Sequence, residues 1–273
     1  MGEKLNGSST RSDETDVVMA FFDVLGFSER VKNIGLKEIF RQYQKLVSIV
    51  KKRTEGRVIV APVPTGDGQL ALIGGHRHLQ YAYFSDTVLI WTKYDIPIIE
   101  SFLDSILEFF CEALIMGIPL RGCVTFGKAI MDSERSIFLG EPIIEGYLGE
   151  GAQSWVGVSF GPSLSRYPWL GALRHVIPFN RQIKDGKEKL VKPLVLDWPR
   201  RWRESFALRH GRSPNAQLNL LNTDSRFSRY YTTAQLMIFD SEQNQEWWKN
   251  YDFNSQTFFG HALPQEEYNA SDS

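Results

Sequence analysis

The first apolar stretch of the chain runs without interruption from Val17 to Phe22 and stops at Asp23. A continuous apolar run of this length predicts a strand that is buried on both faces. After Gly26, apolar residues recur at the three- and four-residue spacing of an amphipathic helix, and Ser28 is a candidate N-cap. The pattern therefore predicts a strand, a tight loop and a helix in succession, with the helix ending at Gly56.

Further apolar runs predict a fold that combines many strands with two long helices. Two strands flank the polar pair Ser85-Asp86, which is typical of a hairpin tip. The remaining predicted elements are strands at 58–63, 120–131 and 155–160, a long helix at 96–116, a short helix at 140–150, and a hairpin that joins 174–180 to 190–197. This succession predicts an α+β architecture in which helices pack on a sheet.

Polarity along the chain divides it into four parts. Residues 1–15 and 263–273 are polar, so we expect mobile tails there. Residues 16–199 carry the predicted strands and form the predicted main domain. Residues 200–262 are expected to form a mainly helical C-terminal extension.

The composition is that of an ordinary globular protein. Of the 273 residues, 42% are hydrophobic. The formal net charge of -1 shows no excess of positive charge of the kind that binds nucleic acid. No apolar run approaches the roughly 18 to 20 residues of a membrane span, and the first residues lack the apolar core of a signal peptide. We therefore expect a cytosolic protein without nucleic-acid or membrane partners. The two cysteines, Cys111 and Cys123, are expected to be buried small hydrophobes.

Two aspartates occupy positions that favour metal-ion chemistry. Asp23 ends an apolar strand and precedes a helix N-terminus, whose amide groups can bind phosphate. Asp86 lies at the predicted hairpin tip. If the two strands are neighbours, both carboxylates and a backbone carbonyl, that of Val24, would hold Mg²⁺ or Mn²⁺, and a pair of such ions suits phosphoryl transfer. The alternatives are a capping role for Asp23 and an ordinary turn role for Asp86.

Arg121 is the candidate cationic residue of the same site. It opens a predicted strand beside the two aspartate-bearing strands, and its planar guanidinium matches the geometry of phosphate oxygens. We expect it to contact phosphate or the charge that develops in a transition state. The alternative is a surface or edge-strand arginine.

Four segments, taken in order, resemble the class III nucleotide cyclases. AFFDVLGFSERV is similar to their first metal-binding segment, and YFSDTVLIW is similar to their second metal hairpin. LRGCVTFGKAI resembles their Arg-containing strand, and FLGEPIIEGYLGEGA resembles the helix that assists at the transition state. The resemblance implies a mixed or antiparallel sheet packed with helices, two Mn²⁺ or Mg²⁺ ions per site, and a homodimer with composite active sites.

Several positions differ from the usual purine cyclases of that family and so restrict which members this sequence resembles. Ile144 and Leu148 stand where the purine cyclases usually have Asn and Arg, and Ala82 stands where they have a base-selecting Lys. The aromatic residue and the glutamate on the same segment, Tyr147 and Glu150, resemble the pyrimidine cyclases of the bacterial Pycsar antiphage system. This resemblance implies that UTP, in preference to CTP, is converted to a cyclic mononucleotide and pyrophosphate as a second messenger.

The same resemblance implies residue roles and leaves two rival functions open. The triphosphate would lie against Gly26-Phe27-Ser28, with the metal ions on Asp23 and Asp86 and with Arg121 on the phosphates. One rival is a dimeric module that binds a nucleotide without turning it over. The other is a palm-like phosphoryl transferase related to diguanylate cyclases or polymerases, although the GGDEF-type run of the former is absent.

Overall fold

Strand β1 (Thr15–Val24) lies inside the main sheet and is covered on both faces. In this computed structural model, every residue from Val17 to Phe22 is at most 7% exposed. Alternate side chains enter two separate clusters, so that Phe22 joins the main core and Phe21 joins a smaller cluster on the opposite face. The buried strand predicted from the uninterrupted apolar run is confirmed.

The structure describes residues 14–54, 58–64, 70–76, 79–94, 96–166, 170–171, 173–243, 251–252 and 257–258.

The main sheet contains eight strands and is mostly antiparallel. β1 pairs with β5 (Thr87–Lys93) on one side and with β6 (Leu120–Asp132) on the other. The sheet order is β4-β5-β1-β6-β8-β10-β9, with β7 paired to β6. Only β6 and β8 run parallel among its described pairs. The other strands of this sheet are β4 (Gln80–Phe84), β7 (Ile137–Gly140), β8 (Gly157–Phe160), β9 (Val176–Pro178) and β10 (Leu194–Leu196). The predicted α+β class and the mixed sheet are confirmed.

Two short hairpins lie outside that sheet. β2 (Val58–Pro64) pairs with β3 (Leu70–His76), and β11 (Tyr251–Asp252) pairs with β12 (Thr257–Phe258). The sequence pattern predicted β2 but missed β3. The polar loop between β2 and β3 lies outside the described residues.

Helices cover both faces of the sheet. α3 (Ile96–Ile115) is apolar on most of its circumference, which is typical of a buried helix, and its Phe109 ring lies 5.4 Å from the Phe22 ring. On the other face, Gly146 of α4 (Glu141–Gly151) approaches β1 so closely that a Cβ there would lie 2.7 Å from Cβ of Phe21. Both cysteines are fully buried, as predicted.

The single helix predicted between Ser28 and Gly56 is wrong in two respects. The structure has α1 (Phe27–Ile34) and α2 (Leu36–Thr54), separated by Gly35 with a φ of 80°. An L-residue rarely adopts that conformation, so the glycine ends one helix before the next begins. Ser28 is not the N-cap; Gly26 occupies that position, and α1 has no side-chain cap.

Helices also predominate in the described part of the C-terminal extension. They are α5 (Trp198–Arg201), a π-helical turn (Trp202–Phe206), α6 (Ala207–His210), α7 (Pro214–Leu221), a 3₁₀ turn (Ser225–Phe227) and α8 (Ser228–Gln243). The boundary between residues 199 and 200 stays a prediction. Across the ranges that the structure describes, no helix combines the length and the apolar character needed to cross a membrane.

The contact between Gly122 and Phe22 generates a stability prediction. These residues face each other across β1 and β6, and a Cβ at Gly122 would lie 2.5 Å from the Phe22 ring, which is fully buried. Gly122→Ala should therefore lower the free energy of unfolding by about 1–3 kcal/mol through overpacking. Urea unfolding measures the change.

Gly127→Ala, on the same strand, is the matched control. Its Cβ would lie 3.3 Å from the Pro142 side chain and 3.9 Å from Cβ of Glu141, so the effect should be within about 1 kcal/mol. Equal destabilisation by the two substitutions would contradict the proposed role of the Phe22 contact.

Candidate active site

Asp23, Asp86 and Arg121 lie at one edge of the main sheet. Asp23 is directly opposite Arg121 of β6 and directly opposite Thr87 of β5, and Asp86 immediately precedes Thr87. The main-chain N–H of Val24 donates to the carbonyl oxygen of Asp86 at 3.0 Å. The register of β1 with its two neighbours thus brings together three residues that are far apart in sequence.

Arg121 contacts two carboxylates at once. Its Nη2 donates to Asp23 Oδ2 at 2.9 Å and lies 2.5 Å from Glu150 Oε1. The guanidinium carbon also lies 5.3 Å from the centre of the Tyr230 ring. Burial lowers the pKa of Arg121, but the charges of Glu150 and Asp23 outweigh that effect and raise it above its usual value. Arg121 is therefore a permanent cation held by partners from β1, α4 and α8.

One nitrogen of Arg121 is left without a partner. Its Nε is buried and has no hydrogen-bond acceptor among the residues that the structure describes. Since an unpaired buried donor is costly, this N–H is disposed to donate a hydrogen bond to an anionic ligand. A phosphate oxygen supplies that type of acceptor.

Glu150 was not among the predicted site residues, although the resemblance drew attention to it. It lies in the last turn of α4 and is 5% exposed. Burial raises its pKa to about 7, and the charges of Asp23 and Asp86 add to the increase, while Arg121 opposes it. Tyr147, the other residue noted on this helix, is 63% exposed and meets the Phe21 ring edge-on at 6.2 Å.

The hairpin tip holds Asp86 through an unusual backbone conformation. Ser85 has a φ of 56°, in the left-handed region that residues other than glycine rarely adopt. Asp86 follows it and is half-buried. Its described hydrogen bond uses the main-chain carbonyl, so no described residue donates to its carboxylate. Asp86 therefore presents a carboxylate that is available to a cation.

The predicted phosphate loop, Gly26-Phe27-Ser28, begins α1 beside Asp23. Gly26 has a φ of 71°, and a Cβ at this position would lie 3.0 Å from the Phe227 ring, so the loop requires glycine for two reasons. Because α1 has no side-chain cap, its first N–H groups are available to an anion. The geometry is compatible with phosphate binding, and the three residues stay predicted ligands.

An aromatic group lies next to the aspartates. Tyr43 meets Phe27 at 6.3 Å and Tyr83 at 5.7 Å between ring centres. Burial raises the pKa of Tyr43 strongly, and the nearby charge of Asp86 raises it further. The hydroxyls of Tyr43 and Tyr83 are buried without a hydrogen-bond partner within the described ranges.

The charge and donor types of the site fit a divalent cation. Two carboxylates, those of Asp23 and Glu150, contact the Arg121 guanidinium, and Asp86 lies at the same sheet edge. Asp23 Oδ1 receives no hydrogen bond from a described residue. Mg²⁺ and Mn²⁺ prefer such oxygen ligands. Within the described part of the chain, however, no group of three or more His, Cys, Asp or Glu side chains is arranged as a metal site. The Val24 carbonyl therefore stays a predicted third ligand.

Comparisons with known proteins gave structural similarities only. No protein-family model and no curated protein matches the chain. A bacterial light-regulated adenylyl cyclase is similar with 12% identity and a TM-score of 0.43, over 73% of this chain and 98% of that one.

Two other solved structures are similar at comparable values. The catalytic core of a rhodopsin-guanylyl cyclase in complex with ATPalphaS has 13% identity and a TM-score of 0.42, over 64% of this chain and 92% of that one. A class III adenylyl cyclase-like ATP-binding protein from Pseudomonas aeruginosa has 8% identity and a TM-score of 0.38, over 88% of this chain and 46% of that one. At such scores the similarities assign no activity to this chain.

The raised pKa of Glu150 predicts a pH-dependent stability. Between its usual value of 4.5 and about 7, the folded protein keeps a proton that the unfolded chain has lost. Folding then binds the extra proton, so the free energy of unfolding should fall as pH rises through this window, by up to about 3 kcal/mol. Glu150→Gln removes this contribution, which urea unfolding at pH 5 and pH 8 with a chelator present would measure.

Glu141→Gln, an exposed position on the same helix, is the control and should keep the wild-type difference between the two pH values. If Glu150→Gln also keeps that difference, Glu150 does not carry the pH dependence.

Proposed function

We propose that this protein is a nucleotide cyclase that converts a pyrimidine nucleoside triphosphate, UTP in preference to CTP, into its 3′,5′-cyclic monophosphate and pyrophosphate. The observation that supports this most strongly is the contact of Arg121 with Asp23 at the sheet edge where Asp86 also lies. Paired carboxylates next to a guanidinium with an unpaired N–H suit a metal-bound triphosphate.

Each residue of the site has a role in this reaction. Asp23 and Asp86 would hold the cations, and Arg121 would bind phosphate oxygens and stabilise the charge that develops on them. The N–H groups of Gly26-Phe27-Ser28 would receive the outer phosphates. Bound Mn²⁺ or Mg²⁺ would lower the pKa of the ribose 3′-hydroxyl and neutralise phosphate charge. The 3′-hydroxyl then loses its proton to solvent, its oxygen bonds to the α-phosphorus, and the bond from the α-phosphorus to the oxygen of the pyrophosphate leaving group breaks.

The preference for a pyrimidine rests on the sequence resemblance. Ala82 has no side-chain group that could read a purine, and Tyr147 with Glu150 follows the pyrimidine cyclase pattern. The product would act as a second messenger in antiphage defence, recognised by a separate effector.

A second candidate, a nucleotide-binding module without turnover, has a specific observation in its favour. Arg121 donates to Asp23 Oδ2 and so competes with a metal ion for that carboxylate. Ile144 and Leu148 are also apolar and exposed at the positions where purine cyclases carry polar transition-state residues. Such a module would bind a triphosphate and release no pyrophosphate.

We also propose that the protein forms a homodimer through the exposed face of α4. An apolar patch on α4 consists of Ile144, Tyr147 and Leu148, and each of its residues is at least 44% exposed. An apolar patch of this kind favours an interface, and a second copy of the chain would bury it. Because Asp23 and Arg121 touch within one chain, both would belong to the same half of a composite site.

Assays with Mn²⁺ and each of the four nucleoside triphosphates test the activity. We expect pyrophosphate and a cyclic product, identified by mass spectrometry, from UTP or CTP. Asp23→Asn and Asp86→Asn should each lower the rate by about 100-fold or more, since both remove a metal ligand. Asp185→Asn, on an exposed turn, is the control and should keep the wild-type rate. Triphosphate binding without any product would favour the second candidate instead.

Ile144→Glu tests the interface. A charge in the middle of the patch should convert the dimer to a monomer in analytical ultracentrifugation and abolish the cyclase activity with it. Leu208→Glu is the matched control, because Leu208 is 88% exposed and belongs to α6, outside the patch. A dimer that survives Ile144→Glu with full activity would remove this interface.

A further inference from the structure

The C-terminal extension touches the candidate active site at two points. The Tyr230 ring of α8 lies over the Arg121 guanidinium at 5.3 Å, and the Phe227 ring of the preceding turn packs against Gly26. The two rings also meet each other edge-on at 6.2 Å. One short segment of the extension therefore contacts both the cation of the site and the loop beside Asp23.

α8 is fixed firmly enough to hold these rings in place. Its Ser241 hydroxyl donates to the buried carboxylate of Asp197 at 2.5 Å, and Arg203 Nη2 donates to the same hydroxyl at 2.8 Å. Met237 on the same helix is fully buried. At the other end, the main-chain N–H of Val156 donates to the carbonyl oxygen of Tyr230 at 3.3 Å, which ties α8 to the segment before β8.

The position of the Tyr230 ring matters because the ionic contacts of Arg121 hold its guanidinium at a single nitrogen atom. Both of its ionic contacts, to Asp23 and Glu150, use Nη2. The guanidinium carbon lies over the Tyr230 ring, and cation–π attraction increases when the pair is desolvated, as it is where only 13% of the Arg121 side chain is exposed. Without the ring, the described contacts hold the guanidinium through Nη2 alone, and none of them involves Nε.

We propose that Tyr230 is a positioning residue, which fixes the Arg121 guanidinium in the orientation that binds the triphosphate. The C-terminal extension is then part of the active site rather than an appendage to it. The inference rests on the proposed function in assigning phosphate binding to Arg121. It goes further in giving a residue of α8 control over that binding.

Binding of inorganic tripolyphosphate in the presence of Mn²⁺ tests the inference, since this probe has neither a base nor a reacting hydroxyl. Calorimetry on the full chain should show that Tyr230→Leu raises the dissociation constant by about 3- to 30-fold, because the variant must order the guanidinium on binding at a cost of up to the energy of the lost cation–π contact. Tyr230→Phe keeps the ring and should remain within about twofold of the wild type. With UTP or CTP, Tyr230→Leu should raise KM in the same proportion.

Met237→Ala is the control for loss of packing. It empties a fully buried position on the same helix, so it should lower Tm at least as much as Tyr230→Leu while leaving tripolyphosphate binding within about twofold of the wild type. Equal weakening of binding by Met237→Ala and Tyr230→Leu would overturn the inference, as would wild-type binding by Tyr230→Leu. The expected binding pattern without a cyclic product from any nucleotide would instead refute the proposed function alone.

Discussion

The buried charge of Arg121 is the constraint on which the arrangement of this protein depends. Only 13% of its side chain is exposed, and a guanidinium removed from water to that extent must be compensated by anions and polarisable groups. Asp23, Glu150 and Tyr230 supply that compensation from β1, α4 and α8. Elements on both faces of the sheet and from the end of the chain therefore meet at a single side chain.

The packing of the sheet determines where Asp23 and Arg121 come together. β1 is apolar on both faces, so it has to lie between two strands and beneath helices on either side. The polar end of β1, at Asp23, therefore lies at the sheet edge where β5 and β6 begin. Close approach at Gly122 and Gly146 lets the Phe22 and Phe21 rings fit on opposite faces, which keeps β1 aligned with β6 and α4. The position of Asp23 is thus a result of core packing.

Periodicity predicted the local elements, whereas the expectation that Asp23, Asp86 and Arg121 share one site depended on an assumed strand order and on the family resemblance. The apolar run of β1, the long apolar helix α3 and the polar tip at Ser85-Asp86 follow from periodicity alone. The proximity of Asp23 to Arg121 needs the strand order, which periodicity does not contain. Glu150 drew attention only through the family resemblance, because it lies in the last turn of a mostly apolar helix. Tyr230 lies in the extension and carried no signal for the site. The break at Gly35 was missed because the apolar spacing continues across it.

The packing of α8 on the main core affects how the gene for this protein could be shortened or recombined. A gene fragment that stopped after β10 would still encode the whole eight-stranded sheet, yet it would lack Tyr231, Met237 and Ile238, which are buried against the main core. Such a fragment would expose apolar surface and would lose the Tyr230 ring that contacts Arg121. Recombination that joins this chain to other proteins should therefore preserve it through α8, and grafts placed between β10 and α8 should be selected against.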